Sequence, residues 1–335
     1  MREEVKNSLL SLIQKEFPLS KKPFEELGKK LNISEEAVLD ILKKEKKNSI
    51  IRQISPIFDT KRLGYKSSLV AFRVDKNDID KAVEVINSHP GVSHNYERNH
   101  DFNIWFTIAV APNSKLGLEK TVEILSQEAN AKEAILLPTL KMFKISVKLD
   151  TTGKADKKEK LSKKSYKEIE LTPKILKIIE KTQHDLSIES EPFKNIVDEL
   201  NITYDELFDT LNLLKDAGIM RRFAAILNHR KAGFNANAMV AWDIDEKKAE
   251  EIGKTAASFT AVSHCYIRPK YPNWRYNLFT MVHGKTKEET TSYINDIANE
   301  IEFFDKRELY SIREFKKVRI KYFSKKFDKW EEKYL

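Results

Sequence analysis

The sequence predicts an α+β protein made by tandem duplication: a helix-turn-helix module, a ferredoxin-like βαββαβ module, then the same pair again. Three observations carry this. Segments recur in the same order at a near-constant offset. Each repeat opens with helical periodicity and then alternates strands with helices. The 335 residues, 41% hydrophobic and 33% charged, suit a folded chain with several small cores.

The repeat is readable directly. KPFEELGKKLNISEEAVLDILKKEKKNSIIRQI (Lys22 to Ile54) aligns with EPFKNIVDELNITYDELFDTLNLLKDAGIMRRF (Glu191 to Phe223). Pro23 and Pro192 stand 169 positions apart, as do Gly64 and Gly233 in the pair LGY and AGF. GVSHNYER (Gly91 to Arg98) matches AVSHCYIR (Ala261 to Arg268), and NIWFT matches NLFT after a longer insertion in the second copy.

The helical module opens with Leu9, Leu10, Ile13 and Phe17 on one helical face. Ser34 and Thr203 sit at N-cap positions after Leu-Asn-Ile, with Glu206 at the capping-box position and Gly218 at a helix C-terminus. The next module reads as strand (SLVAFRVD), helix (NDIDKAVEVINSH), two strands (VSHNYERNH, FNIWFTIAVAP), helix (SKLGLEKTVEILSQEA) and one last strand (AILLPTLKMFKISVKL). The second copy keeps this order from AMVAWDID to ELYSIREFKKVRIKYF. The predicted divisions are 1–50 helix-turn-helix, 51–150 ferredoxin-like, 151–168 Lys-rich tether, 169–220 helix-turn-helix and 221–335 ferredoxin-like.

Composition removes several classes of function. No apolar run approaches the ~18 residues that a bilayer span needs, and the amphipathic first segment reads as a helix of the mature protein, not a signal peptide. One cysteine, Cys265, permits neither an internal disulfide nor a Cys-rich metal site, so the cytoplasm is the expected compartment. No phosphate-loop, Schiff-base or other cofactor motif is present. The net charge of +9 predicts an anionic partner, nucleic acid or a polyanionic small molecule.

Strict alternation on a strand puts Val92, His94, Tyr96 and Arg98 on one face, and likewise Val262, His264, Tyr266 and Arg268. The same His-Tyr-Arg triple in two otherwise diverged copies suits a broad, flat, anionic ligand: arginine grips carboxylates in bidentate fashion and histidine exchanges protons near neutral pH. Further candidates lie on turns: Arg222, His229, Arg230 and Lys231 before Gly233; Trp274, Tyr276 and Asn277 after the second-half insertion; and His100 at the comparable turn of the first half. His283 ends a second-half strand. Trp105, Trp242 and Phe279 are expected in the core, His89 and His184 at the surface, and Cys265 buried opposite His264.

The helical and α+β modules together resemble the Lrp/AsnC regulators. GVSHNYERNHDFNIWFT, VSHCYIRPKYPNWRYNLFTMVHG and RRFAAILNHRKAGFNANAMVAW closely resemble the two homologous subunits of siroheme decarboxylase, here fused in one chain. The resemblance implies a carboxy-lyase that removes the C12 and C18 acetate carboxyl groups of siroheme as carbon dioxide. The product would be 12,18-didecarboxysiroheme, in heme or heme d1 biosynthesis. It further implies a cytoplasmic pseudo-dimer within one chain, with the ligand in a cleft between modules, no separate cofactor, and room for a further homodimer.

In that reading His94, Arg98, His264 and Arg268 are catalytic. Tyr96, His100, Arg222, His229, Arg230, Lys231, Tyr266, Trp274 and Asn277 bind substrate. His264, with His94 as counterpart, either delivers the proton or ligates the substrate iron. Two rivals remain: a DNA-binding regulator and a non-catalytic tetrapyrrole sensor. Glu35, Glu36 and Asp40, with Asp205, Glu206 and Asp209, start the helices that would enter DNA, where base and phosphate contacts call for Arg, Lys, Asn or Gln. This argues against specific DNA binding. Turnover separates enzyme from sensor.

Overall fold

The computed structural model describes residues 2–145, 158, 166–228 and 236–335. The first half runs α1 (Arg2–Lys15), α2 (Pro23–Leu31), α3 (Glu35–Lys47), β1 (Ile51–Phe58), β2 (Lys66–Arg73), α4 (Ile79–Ser88), β3 (Val92–Arg98), β4 (Ile104–Val110), α5 (Gly117–Glu128), β5 (Glu133–Pro138) and β6 (Lys141–Ile145). The second half repeats this as α6 (Pro173–Thr182), α7 (Lys194–Leu200), α8 (Tyr204–Asp216), β7 (Met220–Leu227), β8 (Ala236–Asp243), α9 (Ala249–Ser258), β9 (Val262–Ile267), β10 (Leu278–Gly284), α10 (Lys287–Ala298) and β11 (Asp305–Lys317), followed by α11 (Lys326–Glu331). The chain forms two compact units.

The helical unit takes Met1–Tyr65, Ser165–Lys231 and Lys321–Ser324. The capping signals act as expected. Ser34 Oγ accepts the Ala37 N–H at 3.2 Å, and Thr203 and Glu206 form a full capping box. Asn32 and Asn201 end α2 and α7 in the left-handed region, at φ 55° and 51°, which asparagine tolerates better than most residues. Gly218, at φ +68°, follows α8. The strands β1 and β7, which the sequence assigns to the ferredoxin-like modules, pair antiparallel with each other here, Ile54 opposite Ala225. Phe223 on β7 packs against Phe17 of the first half (5.8 Å) and Phe193 of the second (5.7 Å), so one ring is shared by both helical copies.

The second unit takes Lys66–Lys164, Ala232–Ile320 and Lys325–Leu335. Among the described residues, its nine strands form one antiparallel sheet in the order β5-β2-β4-β3-β11-β8-β10-β9-β6. Each half shows the ferredoxin-like order last-first-third-second. The last strand of each half then crosses over. β11 pairs with β8 over Asp305–Tyr310 and with β3 of the first half over Ser311–Lys317. The expected single last strand of the first half is instead two: β5 pairs with β2, and after Pro138, which cannot donate to a ladder, β6 pairs with β9 of the second half.

Among the described residues, three apolar clusters flank this sheet. One lies between the first-half strands and α4 and α5, and includes Val92, Phe106 and Ile108. A second lies against α9 and α10 and includes Val262, Cys265 and Trp242. The third, on the other sheet face, joins both halves through Trp105, Leu137, Trp274, Phe279 and Leu309.

His89, expected at the surface, is buried at 3% exposure. The sequence signal missed the cover: α11 sets Trp330 4.5 Å and Phe327 5.8 Å from its ring. Its Nδ1 accepts the Gly91 N–H at 3.0 Å, and burial pushes its pKa down to about 3. Glu331 of the same helix accepts from the backbone N–H of Lys115 and Leu116, so the end of the second half caps the start of α5 in the first. His184 is exposed, and Trp105 and Trp242 are core residues, as expected. The Lys-rich tether lies outside the described residues apart from Lys158 and 166–168.

Candidate functional site

The site begins with a bulge that simple alternation cannot reveal. On β3, Val92 faces Ile108 and His94 faces Thr107, consecutive residues of β4, so Ser93 is an extra residue. On β9, Val262 faces Val282 and His264 faces Met281, so Ser263 is extra in the same way. The inserted residue reverses the facing of the strand. Val92 and Val262 therefore point into the helix-covered cores, not along the histidine face as strict alternation predicted. The corrected face is His94, Tyr96, Arg98 in one copy and His264, Tyr266, Arg268 in the other. Cys265 falls on the opposite face as expected, is buried, and burial pushes its thiol well above the usual range.

Each face is a short ladder of rings and cations. The His94 and Tyr96 rings are 6.3 Å apart at 27°, and the Arg98 guanidinium lies 5.3 Å from the Tyr96 ring centre. His264 and Tyr266 are 6.0 Å apart, and Arg268 lies 5.0 Å from the Tyr266 ring and 5.5 Å from Phe279. Both arginines are buried, at 6% and 8% exposure. Arg98 Nη1 donates to the Leu309 carbonyl at 2.7 Å, and Arg268 Nη1 donates to the Leu137 carbonyl. Leu309 lies on β11 just before that strand crosses to β3, and Leu137 lies on β5 just before the turn into β6, so each arginine holds a strand of the opposite half near its crossover.

That bracing does not balance the electrostatics. Burial lowers both guanidinium groups to about 10, so both stay charged at neutral pH. Holding a charge out of water costs several kcal/mol, while a hydrogen bond to a charged group returns about 1.5–3 kcal/mol. Among the described residues neither arginine has a carboxylate partner, and each leaves a buried Nε without an acceptor. An anion at either face would supply what is missing.

Both bulged serines turn onto the neighbouring imidazole. Ser93 Oγ lies 3.0 Å from His94 Nδ1 and 2.7 Å from Thr107 Oγ1. Ser263 Oγ lies 2.7 Å from His264 Nδ1, but its second neighbour is His283 Nε2, at 2.6 Å. His283 Nδ1 is in turn 2.8 Å from Asn237 Oδ1. The serines and Asn237 carry no signal in the sequence until the bulge is known.

Other predicted site residues are placed differently. Asn277 is 1% exposed and its amide brackets the Ile244 backbone, accepting from N–H at 3.0 Å and donating to the carbonyl at 3.2 Å. Asn103 does the same for Val74, so Asn277 is a strand pin and not a ligand group. Trp274 is 2% exposed in the third core, edge-on to Trp105 and Tyr276 and stacked on Phe279. The insertion that carries it folds back through paired Tyr271 and Trp274 backbone bonds, so it plugs the core. Tyr276 is buried beside it, its hydroxyl donating to Asp305 at 2.6 Å. His100 is half-buried against the Trp274 ring edge at 5.3 Å and its Nδ1 accepts the Phe102 N–H, making it a turn residue whose pKa burial lowers. Arg222 is an exposed residue of β7 in the helical unit. His229, Arg230 and Lys231 lie outside the described residues.

Comparison with known proteins agrees with this architecture. The AsnC-like ligand binding domain family matches residues 62–144 and 231–316, and the siroheme decarboxylase NirDL-like HTH domain family matches 6–52 and 176–221. A siroheme decarboxylase of Hydrogenobacter thermophilus is 41% identical over 97% of this chain and 96% of its own. The siroheme decarboxylase beta subunit of Methanosarcina barkeri is 40% identical over 44% of this chain and 96% of its own. The crystal structure of the siroheme decarboxylase NirDL in co-complex with an iron-uroporphyrin III analogue superposes with a TM-score of 0.78 at 36% identity, covering 98% of this chain and 97% of that one.

Proposed function

The chain belongs to the siroheme decarboxylase family and is a carboxy-lyase, and from that premise we propose that it removes the C12 and C18 acetate carboxyl groups of siroheme as carbon dioxide. The product is 12,18-didecarboxysiroheme, on a route to heme or heme d1. The observation that carries the reading is the pair of His-Tyr-Arg faces, each with a buried, uncompensated guanidinium. A polycarboxylate macrocycle supplies both the anions those cations lack and a flat surface for the tyrosine rings.

The chemistry divides simply. Loss of carbon dioxide leaves the bonding electron pair on the methylene carbon, conjugated with the macrocycle. A proton then completes a methyl group. Because the ring of the substrate takes up the electron density, no separate cofactor enters the scheme. Arg98 and Arg268 orient carboxylates through their remaining N–H groups. His264 delivers the proton from Nε2, with its ring held through Nδ1 by Ser263, and His94 is its counterpart in the first half. The runner-up role for His264 is axial ligation of the substrate iron, which the same Nδ1 anchorage would also favour.

The test is anaerobic incubation of the purified chain with siroheme, followed by mass analysis of the extracted tetrapyrrole. Loss of two carbon dioxide units is the expected result. A bound but unchanged tetrapyrrole would establish a sensor instead, and no binding would return attention to DNA despite the acidic starts of α3 and α8.

A further inference from the structure

The two histidine faces differ in one connection, and that difference has a chemical meaning. In the second half the hydrogen bonds form an unbroken chain from Asn237, an exposed residue, through half-buried His283 and buried Ser263 to His264. In the first half the strand register puts Ala109 where the second has His283, and Ser67 where it has Asn237. Ser93 there meets Thr107 instead, a group that does not titrate.

We propose that His283 is a positioning residue that loads His264 with its transferable proton through Ser263, a relay that the described residues form in the second half. The inference rests on the reading of His264 as proton donor. Asn237 Oδ1 accepts from His283 Nδ1–H, so the proton state of His283 Nε2 sets the direction of the chain. With His283 neutral, the Ser263 hydroxyl donates to Nε2 and accepts from His264 Nδ1–H, which leaves His264 Nε2 without a proton. With His283 protonated, Nε2–H donates to Ser263 Oγ, the hydroxyl donates to His264 Nδ1, and His264 carries its proton on Nε2.

The step then balances. The C–C bond breaks, carbon dioxide leaves, and the electron pair stays on the methylene carbon. His264 Nε2–H protonates that carbon. The Ser263 hydroxyl proton passes to His264 Nδ1, and the His283 Nε2 proton passes to Ser263. One carboxylate and one proton are consumed, and solvent restores the proton. Two acetates require this loading twice, so the half that holds the relay is the one that sustains turnover.

Two substitutions test it in the full chain. His283→Ala installs the first-half residue, and His283→Gln keeps a side-chain amide near Ser263 but cannot take up a proton. Both should lower kcat by about 10- to 100-fold with KM for siroheme within about 2-fold, and added imidazole should restore His283→Ala but not His283→Gln. Wild-type kcat in His283→Gln would overturn the relay. A second readout is independent of turnover: long-range 1H–15N spectra of 15N-histidine-labelled protein should show His264 changing tautomer in both His283 variants and in Ser263→Ala, and an unchanged His264 would overturn the coupling. If the wild-type chain leaves siroheme unchanged while the tautomer shift persists, the substrate assignment fails and the coupling stands.

Discussion

β3 and β9 carry the same Val-Ser-His-x-Tyr-x-Arg pattern on the same bulge, yet they are not the same site. On β3 the serine hydroxyl closes onto a threonine, whereas on β9 it opens onto a second histidine. A duplicated fold thus preserves the scaffold that aims a side chain while that side chain's hydrogen-bonding neighbours diverge on the adjacent strand. The conserved-looking part of the motif says where chemistry can happen, and the neighbouring strand says how well.

The largest effect that would sharpen this contrast is at the histidines themselves. His264→Ala should lower decarboxylation by about 100- to 10,000-fold, and His94→Ala by about 10-fold or less, measured by anaerobic product analysis. Equal losses would erase the distinction between the halves.

Next come the buried cations. Arg98→Met and Arg268→Met remove a charge while nearly keeping side-chain length. Each should weaken siroheme binding by about 10- to 100-fold, about 1.5–3 kcal/mol, seen in absorbance titrations. Folding should suffer less, because an uncompensated buried charge is removed along with its hydrogen bond. A loss of stability equal to the loss of binding would make the arginines braces alone.

A third contrast lies at the strand entrance, where the first half has His89 and the second has Phe259, each accepting a backbone bond from the valine that starts the next strand. The folded state holds His89 neutral down to about pH 3, while the unfolded chain protonates it near 6.5. The unfolded state therefore binds more protons across that window, and stability falls as pH drops from about 6.5 toward 3. His89→Phe should flatten this part of the stability profile in urea unfolding and leave stability above pH 7 little changed in its pH slope.

The smallest effect concerns caps. Thr203 closes a reciprocal capping box, whereas Ser34 accepts a single backbone N–H. Thr203→Ala should cost about 1 kcal/mol and Ser34→Ala somewhat less, measured by thermal unfolding. The reverse order would mean that tertiary contacts dominate over the box.

Much of this was legible before the structure. The N-caps and the chain order of strands and helices follow from local chemistry repeated in two copies, and repetition separates signal from accident. The misses share a physical cause: each depends on a partner distant in sequence. Period-two alternation carries no mark for the extra residue at Ser93 and Ser263. Trp274 and Asn277 look exposed on an insertion until Tyr271 folds that insertion onto the third core. His89 looks like a polar helix end until α11 arrives from more than two hundred residues away to cover it. Residue type singled out the His-Tyr-Arg faces, but burial shows that the arginines are braces as well as cations.

The crossing of β11 and β6 has a consequence for ancestry and engineering alike. Each half lends the other the strand that completes its sheet, so a lone half would expose the open edge of β3 or β9, an invitation to aggregation. Yet among the described residues the Lys-rich tether contributes only an isolated bridge from Lys158 to Phe259, so a break within it should leave the ladders between the described strands in place. A nicked or co-expressed version should then reassemble as an obligate pair.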